Sequence, residues 1–336
     1  MTPSVTVVIT TFNRSGLLAR AIRSVIAQRL DDIEIIVSDN ASTDDTAAVV
    51  SSFDDPRVEY SPLSTNLGPH ANFKRALELG TAPYVALLQD DDLMLPDNLA
   101  RKVALLDSTP TMSVAHAAFR YIDADDRVIK EWANWARLPV DTIETGPEFI
   151  RRCLVGGARV NHSSAVIRRS LSRGEQFDPA DGRPCDFGFF LRVARRGEVG
   201  YLAEPLTAIR RHADSDTVRA GTMQLGADGY EANFELVRSV QAAKRRFISE
   251  HGAEIAERRA VLAGSRAWSR GTLANAVRHR TEPERHLWET VRLLVAASTV
   301  EPTMAVSRDA LRVIGGSLVG RRGRALYRRH RDRPDS

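Results

Sequence analysis

Across the first hundred residues, short continuous apolar runs alternate with stretches whose apolar residues recur at helical spacing. No other feature restricts the fold as strongly. "VTVVIT" at 5–10 is a continuous β-branched run, as a strand buried on both faces would be. Leu18, Ile22, Val25 and Ile26 then mark a helix that Ser15 can cap. "IEIIVS" at 33–38 is a second buried strand; in the "STDDT" that follows, Ser42 and Asp45 have capping-box spacing ahead of Ala47, Val49, Val50 and Phe53. "RVEY" at 57–60 is a short third strand, and Pro69 opens a helix with Phe73, Ala76 and Leu77 on its apolar face. "PYVALLQ" is the fourth strand, and Leu99, Val103 and Leu106 belong to the next helix. Such alternation requires βαβ units with right-handed crossovers, hence an α/β, Rossmann-like, mostly parallel sheet flanked by helices.

Ligands of these sheets bind beyond the carboxyl ends of the strands. Thr10, Thr11 and Phe12 follow the first strand, Asp39 and Asn40 the second, and Asp90, Asp91 and Asp92 the fourth. Three separate segments therefore converge on one crevice. Adjacent buried carboxylates must be protonated or matched by a cation. An aspartate cluster at a strand end suits Mg²⁺ or Mn²⁺, which take oxygen ligands and share them with substrate phosphates. Asp92 and Asp97 also fit a plain turn or helix cap.

The remaining sequence is less regular. "SVAHAAF" at 113–119 reads as a strand, "DADDR" at 123–127 as a turn, and "RVNHSSAVI" at 159–167 as a strand with polar interruptions. "DFGFFLRVARRG" at 186–197 is a short helix with Asp186 at its cap and Phe189, Phe190 and Val193 inward; "VGYLAEPLTAIRRH" at 199–212 is strand-like. Beyond about 216 the chain becomes helical and rich in Arg and Ala, with breaks near Gly252, Gly271, Pro283 and Pro302. Two regions are expected among the 336 residues: 1–215, and a helical C-terminal region at 216–336.

Composition narrows the setting. Two cysteines, Cys153 and Cys185, give no disulfide framework and suit a reducing cytosol. The N-terminal stretch lacks the basic and long apolar segments of a secretory leader, and "LLVAASTV" at 293–300 is too short to span a membrane. The net charge of +4 gathers at 321–333, where seven arginines crowd one stretch. That tail fits a solvated segment or one that meets anionic lipid head groups or another polyanion. A cytoplasmic protein is expected, with a peripheral contact at the inner face of the membrane left open and no nucleic-acid partner.

The pieces "VTVVITTFNR", "SVIAQ", "IEIIVSDNASTDDT", "NLGPHANFKRALELGTAPYVALLQDDDLMLP", "CDFGFFLRVARRG" and "PLTAIRRH" stand in an order that resembles the GT-A glycosyltransferases of family 2 over roughly the first 215 residues. The resemblance implies a GT-A fold and an inverting transferase that uses a nucleotide-diphosphate sugar and Mn²⁺ or Mg²⁺. Carried over by position, Thr10, Thr11, Phe12, Arg14, Asp39, Asn66 and Asp90 would hold the nucleotide, and Asp91 and His212 the metal. Phe12 would stack on the base or else pack in the core. Asp186 would be the base that deprotonates the acceptor hydroxyl, a contribution of typically about 10²–10⁴-fold. Asp92, His162, Ser163 and Arg211 are candidates for contacts with the donor or acceptor sugar, and Arg210 or Arg211 for phosphate.

The sequence departs from the family pattern at Gln89, which stands where the first acid of Asp-x-Asp-Asp is usual, and at Cys185, where relatives often carry an acid. Those two departures are the support for an inactive nucleotide-sugar-binding scaffold. A metal-dependent nucleotidyltransferase could use the same carboxylates. No G-x-G-x-x-G follows the first strand, against a nicotinamide-dependent dehydrogenase. Trp132 and Trp135 fit either an acceptor platform or the core. UDP is the default donor nucleotide, with dTDP and GDP sugars open; the acceptor is a glycan, a lipid-linked sugar or a small molecule.

Overall fold

The computed structural model describes residues 2–280 apart from 134, 137, 158–159, 183–184, 213–222, 227–228, 233 and 256. The arginine run at 321–333, the apolar run at 293–300 and the expected breaks at Pro283 and Pro302 lie outside the described residues.

The first region folds as the alternation dictates. Strands β1 (Val5–Thr11), β2 (Ile33–Asp39), β3 (Val58–Pro62) and β4 (Tyr84–Gln89) are connected through helices α1 (Ser15–Ile26), α2 (Thr46–Ser51) and α3 (Pro69–Glu78). They pair in parallel in the order β3-β2-β1-β4. β1 is buried on both faces because each face has its own core. Val8 joins Val85, Leu87 and Ala76 on one side, while Val7 and Ile9 join Ala86, Leu88, Leu18 and Ile22 on the other. Burying each such aliphatic side chain contributes roughly 1.5–3 kcal/mol.

Beyond β4 the sheet becomes mixed. β5 (Leu93–Met94), α4 (Asn98–Ser108), β6 (Met112–Ile122), β7 (Val128–Ala133), β8 (Thr142–Glu144), α5 (Gly146–Gly156), β9 (Ala165–Arg168), the short α6 (Arg169–Ser172), α7 (Cys185–Ala194) and β10 (Glu198–Arg210) follow. β9 runs antiparallel between β4 and β6, and β10 lies parallel to β6 with bulges around Pro205, which has no amide hydrogen to donate. Parallel pairing is thus complete in the first region and confined to β6 and β10 in the second.

Local differences from the sequence reading have physical causes. Ser42 caps no helix; its amide and hydroxyl both donate to Asp39, and α2 starts later with Thr46 bonded to Asp44. The stretch at 159–167 is a 3-10 turn at His162–Ser164 leading into β9, because the Ser164 amide and hydroxyl bond back to the Asn161 carbonyl.

After the main sheet, a hairpin of β11 (Met223–Gly226) and β12 (Gly229–Ala232) precedes α8 (Phe234–His251) and α9 (Arg258–Arg280). Gly252 marks a break, but α9 runs on through Gly271. Ala243, Phe247, Ile248 and Val261 of these helices enter the same core cluster as Phe149 and Cys153 of α5 and Phe187, Phe189 and Phe190 of α7. α5 carries a capping box between Thr145 and Glu148 and ends on Gly157, whose φ of +64° excludes most side chains. A Cβ there would also lie 2.2 Å from Trp268 of α9, so this glycine both stops one helix and seats the other.

Candidate active site

The acidic triplet sits where β4 ends, and all three aspartates are buried. Asp90 accepts from the Thr11 hydroxyl at 2.7 Å and from Arg14 Nη1 at 3.2 Å; the same nitrogen lies 3.3 Å from Asp91 Oδ2. Asp92 Oδ1 accepts the Arg210 amide at 3.0 Å, and its carboxylate also takes the Ser163 hydroxyl. His212 Nε2 is 3.0 Å from Asp91 Oδ2. Asp91 Oδ1 is buried and has no partner. Burial first, and Asp91 second, push the Asp90 carboxyl up to about 7 against the pull of Arg14 and Thr11. The same two causes raise Asp92 well above the usual carboxylate range.

This donor set can be tested against a cation. An orphaned carboxylate oxygen with an imidazole nitrogen beside it offers two ligands, and among the described residues no group of three or more His, Cys, Asp or Glu is placed to hold a metal. The residues fit Mg²⁺ or Mn²⁺ shared with a diphosphate, and do not fit an all-protein cage.

Two other strand ends face the same crevice. The Thr10 carbonyl takes the Asp90 amide, and Phe12 is 41% exposed, so it is not a core residue. Asp39 is buried, with Oδ1 held by Ser42 and Oδ2 by the Tyr60 hydroxyl at 2.6 Å. The turn after β1 is stitched to the turn after β2: Asn13, at a left-handed φ of 52°, donates its amide to Ser42 and accepts from the Thr43 amide. Asn66 is exposed and accepts from Asn40 Nδ2 and the Gly68 amide. Asn72 is spent on scaffolding instead, its amide group bonded to the Ser38 hydroxyl and carbonyl.

Asp186 lies in the first turn of α7, half-buried, with Oδ1 accepting the Phe187 amide at 2.8 Å. Burial lowers the His162 pKa, while the charges of Asp186 and Asp91 both reach the ring and oppose that shift. Its Nε2 is buried without a partner, and Phe73 packs edge-on at 5.0 Å. Arg210 is committed to the scaffold: it bonds the carbonyls of Asp91 and Asp123 and pairs with Asp126. The Arg211 guanidinium lies over the Tyr121 ring at 5.6 Å. Cys185 is buried and its thiol is pushed up by burial and Asp186, which suits packing and not nucleophilic attack.

The sequence of residues 6–171 matches glycosyl transferase family 2. Residues 6–171 are a family 2 glycosyl transferase domain. One relative, a GalNAc(5)-diNAcBac-PP-undecaprenol beta-1,3-glucosyltransferase of Campylobacter jejuni, is 41% identical over 180 residues, covering 52% of this chain and 55% of its own. The chain spans about half the length of the curated relatives it matches. Among solved structures, Staphylococcus aureus TarS in complex with UDP-GlcNAc aligns at a TM-score of 0.56 and 15% identity over 91% of this chain and 92% of that one. A Pyrobaculum calidifontis mannosyltransferase in complex with GDP-Man and Mn²⁺ aligns at 0.52 and 16% identity over 95% and 85%. These likenesses show the GT-A fold.

Within this family 2 domain, several supporting residues were not marked by the sequence reading. Tyr60, at the end of β3, anchors Asp39, and its strand-end position is the signal that could have found it. The "DADDR" turn supplies Asp123 and Asp126 to Arg210, a contact across 87 and 84 positions that no local pattern announces. Trp135 belongs to the core beside Phe119 at 5.4 Å, whereas Trp132 is 43% exposed with its indole N–H bonded to the Ala203 carbonyl.

Proposed function

We propose that the protein transfers a sugar from a nucleoside-diphosphate sugar to a hydroxyl acceptor with inversion at the anomeric carbon. The observation that carries this reading is the orphaned Asp91 Oδ1 with His212 beside it at the end of β4. A bound Mn²⁺ or Mg²⁺ would supply positive charge opposite the departing diphosphate. Thr10, Thr11, Phe12, Asp39 and Asn66 line the strand ends that receive the base and ribose, with Phe12 exposed for stacking. Arg14 and Asp90 sit between that side and the phosphates. Asp186, across the space from Asp91, takes the proton of the acceptor hydroxyl as its oxygen attacks the anomeric carbon. The diphosphate leaves from the opposite face, which gives inversion. His162, Ser163, Asp92 and Arg211 are assigned to the sugars.

UDP is the first donor nucleotide to test. A lipid-linked glycan is the acceptor class we favour, from the undecaprenol-linked substrate in the name of the 41% identical relative. No helix among the described residues is long and apolar enough to cross a membrane, and the arginine run offers a peripheral contact with anionic lipid. Residues 1–215 are assigned as the catalytic unit; the region from 216, expected to be helical, carries the β11–β12 hairpin ahead of α8 and α9. The test is phosphorus NMR of incubations with UDP-, dTDP- and GDP-sugars and Mn²⁺. Release of nucleoside diphosphate supports the reading; pyrophosphate or nucleoside monophosphate, or no turnover of any donor, contradicts it.

A further inference from the structure

α8 lies beyond the residues that match the family, yet it reaches the segment that delivers Asp186. Arg246 of α8 places Nη2 2.7 Å from Asp178 Oδ2 and Nη1 3.1 Å from Asp181 Oδ1, while its Nε is held 2.8 Å from Glu250. Asp181 is 2% exposed, and its other oxygen takes Arg192 Nη1 of α7 at 2.8 Å. One buried carboxylate is thus gripped by two guanidinium groups, one from the helix that carries Asp186 and one from the C-terminal region. Buried, doubly paired carboxylates of this kind lose strongly when one cation is removed, because the remaining charge is left under-compensated.

The surroundings leave the turn little freedom. Asp178 Oδ1 also accepts the Ala180 amide, closing the 3-10 turn at Pro179–Asp181. The Gly182 carbonyl accepts from His70 Nε2 at 3.2 Å, and His70 stands in the first turn of α3, directly after the Asn66–Gly68 loop on the nucleotide side. Gly188 of α7 faces the same carboxylate: a Cβ there would come within 2.1 Å of Asp181 Oδ2. The missing side chain is what allows α7 to approach Asp181 this closely. Phe187, Phe189 and Phe190 then fix the helix from its buried face.

We infer that Arg246 is a positioning residue for Asp186: through Asp178 and Asp181 it sets where the first turn of α7 presents the carboxylate. This rests on the assignment of Asp186 as the base. A base displaced by about 1 Å can lose on the order of 10²-fold in rate. The C-terminal helices are then part of the catalytic apparatus and not an appended module. Arg195 provides the matched control. It also joins α7 to the C-terminal region, with both guanidinium contacts to Glu254 at 2.8 Å, but at the end of α7 remote in sequence from Asp186.

The experiment compares Arg246→Ala, Arg246→Lys, Arg195→Ala and Asp186→Asn in the full chain. Turnover is read as UDP release from UDP-GlcNAc or UDP-glucose with Mn²⁺, alongside UDP affinity and hydrogen exchange of the peptides spanning 178–190. Arg246→Ala is expected to lower kcat about 10- to 100-fold with UDP affinity within two-fold of wild type. Free guanidinium should restore part of the loss, Arg246→Lys should fall between, and exchange at 185–190 should quicken. Arg195→Ala should leave kcat and exchange at 185–190 near wild type. Wild-type kcat in folded Arg246→Ala, a loss that guanidinium does not reverse, or equal exchange at 185–190 in both alanine variants would overturn the inference. If Asp186→Asn keeps full turnover, the base assignment fails instead, a separate outcome.

Discussion

The two halves of the sheet solve the same problem differently. From β1 to β4 each strand pairs with a neighbour in parallel, and the polar residues singled out there end a strand (Thr10, Thr11, Asp39), directly follow one (Asp90) or lie in the loop beyond (Arg14, Asn66). From β6 to β10 the sheet is mixed, and the residues at the crevice arrive from a 3-10 turn (His162), a helix start (Asp186) and the end of a bulged strand (His212). The first half places its groups at strand ends and holds them with local side-chain hydrogen bonds, Asp39 by Ser42 and Tyr60 and Asp90 by Thr11 and Arg14. The second half needs buried ion pairs and aromatic packing to aim them, as with Asp181 between Arg192 and Arg246, and Phe189 stacked on Phe177 at 4.4 Å. Substitutions in the first half should therefore change nucleotide affinity, and those in the second half turnover.

The largest expected effect belongs to the second half. Asp186→Asn should lower turnover by about 10²–10⁴-fold with UDP affinity unchanged, measured by product release and calorimetry. Equal losses in both would erase the division between halves. Phe189→Ala, removing a fully buried ring, should cost about 3–5 kcal/mol of stability in denaturant unfolding. Phe12→Ala, on the exposed donor side, should leave stability alone and weaken UDP binding by about 1–3 kcal/mol with kcat retained.

A pH series sharpens the contrast in the second half. Lys102 of α4 is fully buried, bonded to Asn98 Oδ1 at 2.8 Å, and burial brings its pKa down to about 7. Between about 7 and the ordinary lysine value of 10.5 the unfolded chain binds more protons than the folded one, so stability should rise with pH across that window. Lys102→Met should flatten the rise, seen as a smaller increase in Tm on going from pH 7 to 9. An unchanged slope would contradict the burial argument. The smallest effect is local: Thr145→Ala removes half of the α5 capping box and should cost about 1 kcal/mol.

Legibility followed the same division. β1, β2 and β4 could be read because burial on both faces leaves a largely apolar run, with Thr11 and Asp39 as last residues of their strands and Asp90 directly after its own. That Asp186 stands in the first turn of a Phe-rich helix was readable from the pattern; its role as base came from the family resemblance and is a proposal. Tyr60 was not, because an aromatic at a strand end looks the same whether it packs or holds a carboxylate. The contacts of Arg210, one of two arginines offered for phosphate, with Asp123 and Asp126 were not legible because that turn lies far away in sequence. The split at about 216 concealed the most consequential contact, since Arg246 is one arginine among many in a basic helix until Asp178 and Asp181 are brought beside it.

The central claim is that the end of β4 is a cation site left half-built by the protein and completed by the nucleoside diphosphate. Calorimetric titration of UDP with and without Mn²⁺, in wild type and Asp91→Asn, tests it most directly. The account predicts that Mn²⁺ strengthens UDP binding in the wild type and has no such effect in Asp91→Asn. Mn²⁺-stimulated UDP affinity that survives in Asp91→Asn would contradict it.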